Sequence, residues 1–442
     1  MKLSIVGTGY VGLVSGVCLA ESGNIVTCVD IDAAKVEKIN NAQSPIYEEG
    51  LDNLLKKNIG KRLAATTDLK AAVWATDMTM IAVGTPFDGE KIDLTYIKEA
   101  AKQIGQALKD KTTYHTVIVK STVVPGTTQD VVLPILEKYS GKKAGKDFGV
   151  GMNPEFLKEG EAIKDFTEPD RIVLGGIDAK TRAALAELYK NFKTEKIETN
   201  PSTAEMIKYT ANSLLATAIS FSNEIGNLCA KVGVDATQVL RGVHLDKRLS
   251  PSLKNGTKIY PSFITYLMQG CGFGGSCFPK DVKALIAYGK GKGLKMDILN
   301  SVIEVNKKQP EQMLKLLGKH FKSFKGLKIA VLGIAFKPGT DDIRESPAIP
   351  IINMLLAKGA QIKAFDPVAQ HEAEKVFKNK IKYCATTQDT VKGCDAVLII
   401  TKWKEFLALP QILAAAKKQP VVIDGRRMLD KTSVKTYEGI GL

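Results

Sequence analysis

The 442-residue sequence lacks the features that mark membrane-inserted, disulfide-stapled and zinc-binding proteins. No apolar stretch approaches the ~20 residues that a membrane-spanning helix needs, and the first residues form a strand-like run without the pattern of a cleavable signal. The seven cysteines are an odd number, are widely scattered and include no C-x-x-C pair. Neither a disulfide framework nor a zinc site is indicated. We therefore expect a cytoplasmic protein with no membrane partner and no metal.

A basic block with interleaved aromatic residues is also missing, although the net charge is +15. The lysines are spread along the whole chain, so we expect no nucleic-acid partner. The lysine-rich surface is interpreted as a solvated one that favours small anions. Apolar residues make up 44% and charged residues 25% of the chain, the balance of a globular protein, and the length allows two or three domains.

Short apolar strands alternate with helical stretches over the first 200 residues, which predicts a parallel sheet with helices on both faces. From residue 203 to 230 the chain has no proline and keeps helical periodicity, which predicts a long connecting helix. Near Gly326 the opening pattern returns, since "GLKIAVLGIAFKPG" parallels "MKLSIVGTGYVG". We predict an α/β protein with a Rossmann domain at 1–200, a helical central domain at 201–315 that forms a dimer, and a second Rossmann-like domain at 316–442.

The segment "GTGYVG" follows a predicted strand and opens a predicted helix, the setting in which G-x-G-x-x-G binds a dinucleotide. The first glycine permits a tight turn, the second lets the backbone approach a pyrophosphate, and the third lets the helix pack on the strand. The phosphates then meet the positive end of the helix dipole. The predicted cofactor contacts are Gly7, Gly9, Tyr10, Val11 and Gly12.

Asp30 stands at the end of the next predicted strand, 18 residues after Gly12. Its carboxylate would accept hydrogen bonds from the ribose hydroxyls and would repel a 2′-phosphate, so NAD is favoured over NADP. Lys35 is close enough in sequence to reach the same ribose or a phosphate, although it is equally well explained as a surface lysine on a helix.

The second Rossmann-like unit has no G-x-G-x-x-G after its first strand and need not bind a dinucleotide. It carries Lys337 and Arg344 on the loop after that strand, and Arg426 after a later strand. These cations stand where phosphates collect in such folds. Two nucleotide-binding folds with one NAD fingerprint suggest a substrate that is itself a nucleotide.

Cys277 lies in "GFGGSCFPKD", just before a helix whose first turn is indicated by Pro279. The helix dipole and the neighbouring Lys280 would favour a thiolate. Gly274 and Gly275 carry no side chain, so we expect a ligand to approach closely there. The competing interpretation is a small buried hydrophobic residue, the commoner role of a cysteine outside a disulfide.

Six segments in order from residue 1 to about 430 resemble the nucleotide-sugar 6-dehydrogenases of the UDP-glucose/GDP-mannose dehydrogenase family. They are "GTGYVG", "STVVPGTT", "NPEFLKEG", "EMIKYTANSLLATAISFSNE", "GFGGSCFPKD" and "FKPGTDDIRESPA". The resemblance implies a four-electron oxidation of UDP-glucose to UDP-glucuronate by NAD, in a homodimer or higher homo-oligomer. In that family a cysteine adds to the aldehyde, and the resulting thiohemiacetal is oxidised to a thioester that water hydrolyses.

The resemblance also implies residue roles. Cys277 matches the nucleophile, Asp281 an acid that helps activate water, and Lys208 and Asn212 a helix pair that supports the oxyanion and the water. Both lie on one polar face of the long helix. The remaining implied catalytic residues are Glu155 and Thr122; the implied cofactor contacts are Thr85, Thr122, Glu159, Lys280 and Arg344; the implied substrate contacts are Glu155, Phe156, Leu157, Lys158, Glu159, Lys208, Asn212, Tyr266, Leu267, Met268, Gln269, Gly270, Gly274, Lys337 and Arg426.

One departure from the family pattern and several alternatives stay open. Arg248 stands 18 positions before Tyr266, which looks like an insertion and leaves the role of that arginine in doubt. The substrate could be GDP-mannose or a UDP-N-acetylhexosamine, although "SCFP" favours UDP-glucose within the family. A 2-hydroxyacid-type dehydrogenase would need neither Cys277 nor the second nucleotide fold. A protein that only senses NAD on a retained scaffold would not need the catalytic set.

Overall fold

The computed structural model describes residues 1–416 and 418–442. They divide into two compact units, Met1–Ala211 and Asn212–Leu442. Within these described residues, no helix is both long enough and apolar enough to cross a bilayer.

The first unit is built from alternating strands and helices. Its strands are β1 (Lys2–Val6), β2 (Ile25–Val29), β3 (Leu63–Thr66), β4 (Met78–Ile81), β5 (His115–Val119), β6 (Phe148–Met152), β7 (Arg171–Gly176) and β8 (Glu195–Thr199). Its helices are α1 (Tyr10–Glu21), α2 (Ala33–Asn40), α3 (Leu51–Asn58), α4 (Leu69–Trp74), α5 (Thr95–Lys109), α6 (Leu133–Ser140), α7 (Ala162–Thr167) and α8 (Ala179–Leu188), with a π-helical turn at Thr127–Val132.

These strands form one eight-stranded sheet in the order β3-β2-β1-β4-β5-β6-β7-β8. Neighbours run parallel except β6 and β7, which pair antiparallel at Gly151 with Gly176 and Met152 with Gly175. The strand order reverses between β1 and β4, and ligands of open α/β sheets bind beyond the carboxyl ends of the strands at such a point.

Buried apolar runs explain this sheet, since β4, β5 and β6 are buried at every position. Parallel strands that are covered by helices on both faces have continuous apolar sequences rather than an alternation of apolar and polar residues. Leu3 and Ile5 of β1 join the core on the α1 side, whereas Val6 joins the core on the α5 side. The sheet is therefore covered by helices on both faces, and its strand ends hold the candidate site residues.

Helix α9 (Pro201–Val232) begins in the first unit and continues into the second. It is two residues longer at each end than the predicted helix 203–230. The second unit continues with helices α10 (Ala236–His244), α11 (Phe278–Gly291), α12 (Asp297–Lys308), α13 (Glu311–Gly318), α14 (Ala348–Ala357), α15 (Gln370–Phe377), α16 (Thr387–Val391) and α17 (Leu409–Ala414), and with short 3-10 turns at Ser262–Tyr266, Lys378–Lys380 and Lys404–Ala408.

The strands of the second unit are β9 (Lys328–Leu332), β10 (Gln361–Phe365), β11 (Lys382–Tyr383), β12 (Ala396–Ile399), β13 (Val421–Asp424) and β14 (Tyr437–Gly439). They form a six-stranded sheet in the order β11-β10-β9-β12-β13-β14, and each pair is parallel. This order repeats the β3-β2-β1-β4-β5 arrangement of the first sheet. The prediction of two parallel α/β sheets with a helical middle is thus confirmed.

Candidate functional site

The glycine-rich loop after β1 has the steric properties that its pattern predicts. Gly7 has a φ of +97°, and a Cβ added to it would lie 2.8 Å from the Ala82 carbonyl oxygen. A Cβ on Gly12 would lie 1.9 Å from the Gly7 carbonyl oxygen. A Cβ on Gly9 would meet nothing within 4 Å. The protein's own packing therefore requires Gly7 and Gly12, whereas Gly9 faces open space at the start of α1, where a pyrophosphate fits.

Asp30 follows β2 directly and is tied to the same loop. Its Oδ2 accepts hydrogen bonds from the Thr8 amide at 2.8 Å and the Thr8 hydroxyl at 2.6 Å, and its Oδ1 accepts one from the Asp32 amide at 3.0 Å. Burial raises the pKa of Asp30, but these hydrogen bonds and the nearby Lys35 ammonium outweigh burial and hold the pKa below its usual value. The loop thus presents a fixed carboxylate, which fits the ribose of a dinucleotide.

Thr85 and Thr122, both predicted to contact the cofactor, are brought together by the loops after β4 and β5. The Thr85 hydroxyl donates to the Thr122 carbonyl oxygen at 2.8 Å. The neighbouring Ser121 hydroxyl donates to the Val83 carbonyl oxygen at 2.7 Å. These bonds fix the two loops to each other at the carboxyl edge of the sheet.

Glu48 connects the glycine-rich loop to the loop after β6, and sequence patterns did not predict it. Its buried carboxylate accepts hydrogen bonds from the Gly160 amide at 2.7 Å and the Ala162 amide at 2.8 Å. The Tyr10 hydroxyl also donates to Glu48. Burial and this hydrogen bond raise the pKa of Tyr10. An acidic residue in a loop gives no sequence signal of such contacts, which join residues more than 110 positions apart.

Glu155 and Lys208, predicted from separate motifs, form a buried ion pair. Their carboxylate oxygen and ammonium nitrogen are 2.9 Å apart, and the side chains are 5% and 3% exposed. The Leu157 amide donates to the other Glu155 oxygen at 2.7 Å. Burial raises the pKa of Glu155, but the Lys208 ammonium, the Leu157 amide and the Lys120 ammonium together outweigh burial and hold the pKa below its usual value. This part of the site therefore offers an ionised carboxylate beside an ammonium group.

The other predicted residues of this loop have different surroundings. Phe156 packs under the Arg171 guanidinium, whose carbon lies 3.8 Å from the ring centroid. Lys158 is half exposed and pairs with Glu161 at 2.9 Å and Asp165 at 3.2 Å. Its ammonium is thus engaged by carboxylates of its own loop and of α7.

Two further buried ionisable residues were not predicted as site residues. Lys120, directly after β5, is 4% exposed, and burial lowers its pKa to about 8. Glu205 on α9 is completely buried, and burial raises its pKa to about 7. Glu205 accepts hydrogen bonds from the Gly126 amide at 2.6 Å and from the amide and hydroxyl of Thr128 at 2.8 and 2.6 Å. It therefore anchors the "STVVPGTT" loop, which carries Thr122, to α9.

In the second unit, Cys277 is the residue that precedes α11, as the sequence predicts. Its side chain is partly exposed, in contrast to the six other cysteines, which are buried. Its sulfur lies 3.6 Å from the Ser276 hydroxyl oxygen. A thiol at the amino end of a 14-residue helix stands where the helix dipole favours a negative charge.

Asp281 lies one helical turn after Cys277 and is almost completely buried. Its Oδ2 accepts a hydrogen bond from the Asn212 amide nitrogen at 2.6 Å, and its Oδ1 accepts one from the Lys280 ammonium at 2.6 Å. The Asp281 amide also donates to the Cys277 carbonyl oxygen at 2.8 Å. The structure thus brings four predicted residues, Asn212, Cys277, Lys280 and Asp281, into one connected group.

The glycines before Cys277 have a packing role that the sequence did not indicate. A Cβ on Gly274 would lie 2.3 Å from the Glu345 carbonyl oxygen, and one on Gly275 would lie 2.7 Å from the Phe336 ring. Gly275 also has a φ of +85°. The missing side chains are therefore needed for the cysteine loop to pack on the loop after β9.

The predicted substrate loop Tyr266 to Gly270 is held by buried polar contacts. The Gly270 amide donates to Asn223 of α9 at 2.8 Å, and the Gly270 carbonyl accepts from Gln309 at 2.7 Å. The Gln269 side chain donates to the Thr237 hydroxyl at 2.8 Å. The part-buried Arg426 guanidinium donates to the Gly272 carbonyl oxygen at 3.1 Å. Arg426, the cation predicted after β13, is thus next to the cysteine loop.

Three other predicted or doubtful cations of this unit lie on its surface loops. Lys337 is partly buried, with its ammonium 6.0 Å from the Phe336 ring centroid. Arg344 is mostly exposed and pairs with Asp342 at 2.8 Å. Arg248, in the long segment before Tyr266, is 86% exposed and pairs with Asp246 at 2.6 Å. The Arg344 carbonyl oxygen accepts a hydrogen bond from the Gly275 amide at 2.8 Å, so the loop that carries Lys337 and Arg344 contacts the segment before Cys277.

Comparisons with protein families cover most of the chain. Residues 1–193 match the NAD binding domain of the UDP-glucose/GDP-mannose dehydrogenase family. Residues 202–308 match the family's central domain, and residues 330–431 match its UDP binding domain.

Individual proteins of this family are also similar to the chain over nearly its whole length. A UDP-glucose 6-dehydrogenase of Bacillus subtilis is 43% identical over 448 residues, which cover 100% of this chain and 93% of that protein. A GDP-mannose 6-dehydrogenase of Pseudomonas savastanoi pv. phaseolicola is 40% identical over 449 residues, which cover 99% of this chain and 97% of that protein. The structure of a UDP-glucose dehydrogenase from the archaeon Pyrobaculum islandicum is similar with a TM-score of 0.90 and 38% identity, covering 99% of this chain and 97% of the other.

Proposed function

As a member of the UDP-glucose/GDP-mannose dehydrogenase family, this chain is an NAD-dependent oxidoreductase, and we propose that it oxidises UDP-glucose to UDP-glucuronate. The observation that carries the proposal is the partly exposed Cys277 thiol at the amino end of α11, one turn before the buried Asp281. Such a thiol suits a nucleotide-sugar alcohol that must lose four electrons, because an aldehyde has no hydride to give until a nucleophile has added to it, and a thiolate adds while keeping the intermediate bound.

NAD supplies the hydride acceptor for both oxidations. The loop from Gly7 to Gly12 and the Asp30 carboxylate hold it, since Gly9 leaves open space at the helix amino end and Asp30 is fixed by Thr8. Thr85 and Thr122 contribute further contacts at the neighbouring strand ends. One alcohol, two NAD and one water give one carboxylate, two NADH and three protons.

Cys277 performs the covalent step. Its thiolate adds to the carbon of the aldehyde, a C–S bond forms, and the aldehyde oxygen takes up a proton to give a thiohemiacetal. Loss of a hydride and a proton converts this adduct to a thioester. Water then adds to the thioester carbon, the C–S bond breaks, and the sulfur leaves as a thiolate while the product leaves as a carboxylate.

The remaining catalytic residues handle the water and the developing oxyanion. Asp281, which accepts hydrogen bonds from Asn212 and Lys280, helps to activate the water in the Cys277 group. In the first unit, the ionised Glu155 beside Lys208 assists thioester hydrolysis, and Lys208 stabilises an oxyanion. Thr122 holds a water near the cofactor.

The sugar nucleotide is proposed to bind the second unit through the loop from Tyr266 to Gly270 and through Lys337 and Arg426. UDP-glucose is favoured because Phe278 follows the cysteine directly, as in "SCFP". GDP-mannose is the second candidate, supported by the 40% identity to a GDP-mannose 6-dehydrogenase. A UDP-N-acetylhexosamine is the third.

The test is an NADH-formation assay with UDP-glucose, GDP-mannose, UDP-galactose and UDP-N-acetylsugars. We expect two NADH per UDP-glucose consumed and no free aldehyde. Cys277→Ala should lower net turnover by at least about a thousandfold, roughly 4 kcal/mol of transition-state stabilisation, with far smaller changes in substrate affinity. The matched control is Cys384→Ala, which removes a buried thiol of the same unit. Two NADH per sugar at a near wild-type rate from Cys277→Ala would refute the covalent mechanism.

We further propose a homodimer that works in the reducing cytoplasm, where Cys277 stays a thiol. The support for the dimer is a stripe on α9 formed by Leu214, Phe221 and Leu228, which are 56%, 54% and 58% exposed. They are spaced seven residues apart, so they lie on one side of the helix, and a second copy of the same helix could cover them.

A further inference from the structure

Lys120 is a buried lysine that the proposed mechanism does not use. Lys120 directly follows β5 and is 4% exposed, and its ammonium donates to the Asn153 side-chain oxygen at 2.9 Å. That oxygen also accepts a hydrogen bond from the Tyr189 hydroxyl at 2.6 Å, and the Asn153 amide nitrogen donates to the Val173 carbonyl oxygen at 2.9 Å. Asn153 is therefore fixed, and it holds the Lys120 ammonium in one place.

The charged groups that act on Lys120 are Glu155 and Lys208. Glu155 comes from the loop after β6, and Lys208 comes from α9, so three elements meet at this point. The other groups packed there, the Tyr189 phenol and the Phe166 ring, carry no charge at neutral pH. All three ionisable residues are at most 6% exposed.

This cluster contains two ammonium groups and one carboxylate, so its net charge is +1 when both lysines are protonated. A buried net charge is costly unless it is compensated. Burial accordingly lowers the pKa of Lys120 to about 8, against the attraction of Glu155. The cluster is thus arranged to accept a further negative charge or to release one proton.

We propose that Lys120 is a positioning residue that acts through Glu155, keeping this carboxylate ionised and giving the cluster the net positive charge that stabilises an oxyanion of the reacting sugar. The inference rests on the proposed function. If Lys208 were the only cation, the Glu155 carboxylate would neutralise it. The Lys120 ammonium adds a second positive charge, so the cluster stays positive overall. Since the ammonium is lost as the pH rises through about 8, activity should fall with it.

The test compares Lys120→Met, which keeps the length of the side chain without the charge, with Lys120→Arg, which keeps the charge. At pH 7 we expect kcat of Lys120→Met to fall at least tenfold, while KM for NAD changes less than twofold. Lys120→Arg should recover most of kcat. Its pH profile should lose the decline near pH 8, because a guanidinium does not lose its proton there.

The thermal unfolding temperature of each variant shows whether a loss of activity is caused by a loss of folding. If Lys120→Met does not fold, the pH profile of Lys120→Arg decides the question, since a purely structural lysine would not move it. A kcat of Lys120→Met within twofold of wild type, or a decline near pH 8 that persists unchanged in Lys120→Arg, would overturn the proposal. The assay uses whichever nucleotide sugar the wild type oxidises, so a wrong substrate assignment shows in the wild type and not in the variants.

Discussion

The Lys208 ammonium lies 2.9 Å from the Glu155 carboxylate, and both side chains are nearly excluded from water. One partner comes from α9 and the other from the loop after β6, 53 positions earlier in the chain. A buried pair of this kind leaves an uncompensated charge when one partner is removed.

Lys208→Met should therefore lower the free energy of unfolding by about 3 kcal/mol, as is typical when one member of a buried pair is lost. The double variant Glu155→Gln/Lys208→Met should lose less than the sum of the two single variants, because each single variant already removes the whole interaction between the two residues. Urea denaturation of the four proteins measures this coupling. Additive losses would contradict a direct interaction.

The pH dependence of the same pair has a defined sign. The pKa of Glu155 is lower in the folded protein than its usual value, so the pair stabilises the fold above the pKa of the unfolded chain. This stability is lost as the pH falls through the folded pKa. Denaturation of wild type and Glu155→Gln between pH 3 and 6, a range set by the usual glutamate pKa of about 4.3, should show a steeper acid loss for wild type.

Glu205 should act in the opposite direction. Its pKa is raised by burial to about 7, so between the unfolded value and pH 7 the folded protein holds a proton that the unfolded chain has lost. Stability from this group is present at low pH and falls as the pH rises, by up to about 3.5 kcal/mol at 1.36 kcal/mol per pKa unit. Glu205→Gln should flatten the slope of stability between pH 5 and 7.5, measured by denaturation. An unchanged slope would contradict the assignment.

Asp30 should exclude NADP. A 2′-phosphate would meet a carboxylate that is fixed by Thr8 and ionised at neutral pH, so kcat/KM should favour NAD by at least about tenfold, or 1.4 kcal/mol. Asp30→Asn should lower the ratio of kcat/KM for NAD to kcat/KM for NADP. The control is Asp77→Asn, which lies directly before β4 at the amino edge of the same sheet and should leave this ratio unchanged. Equal use of both cofactors by the wild type would refute the role of Asp30.

The stripe on α9 should hold two chains together. Phe221→Asp places a charge in the middle of the stripe and should convert a species of at least twice the 47.9 kDa chain mass to one of the chain mass. Light scattering at micromolar concentration measures this mass directly. Ile298→Asp, at a position on α12 that is 72% exposed, is the control and should not change the mass. A wild type that is already a single chain would rule out the dimer.

Local sequence patterns were sufficient to predict the features that depend on residues close together in the chain. The turn at Gly7, the close approach at Gly12 and the position of Cys277 before α11 all follow from spacing within a dozen residues. The two parallel sheets followed from the alternation of apolar strands and helical stretches. Their registers, and the antiparallel pairing of β6 with β7, did not.

The remaining features depend on contacts between distant segments. Glu48 and Lys120 look like ordinary charged residues in the sequence. Glu205 lies on the polar face of the long helix, which indicates a need for partners but does not name them. The partners of the three residues lie up to 114 positions away. Burial, which gives these residues their altered behaviour, is a property of the folded chain. Gly274 and Gly275 have a packing role for the same reason, since an added Cβ would clash with residues about 60 to 70 positions later in the chain.

Gly9 differs from its neighbours in this respect. The fold does not need the missing Cβ of Gly9, since a Cβ there would meet no other protein atom within 4 Å. An alanine at this position would therefore be compatible with the packing of the chain, while its methyl group would stand where the pyrophosphate is proposed to lie. Folding and cofactor binding would then depend on different glycines of one short loop.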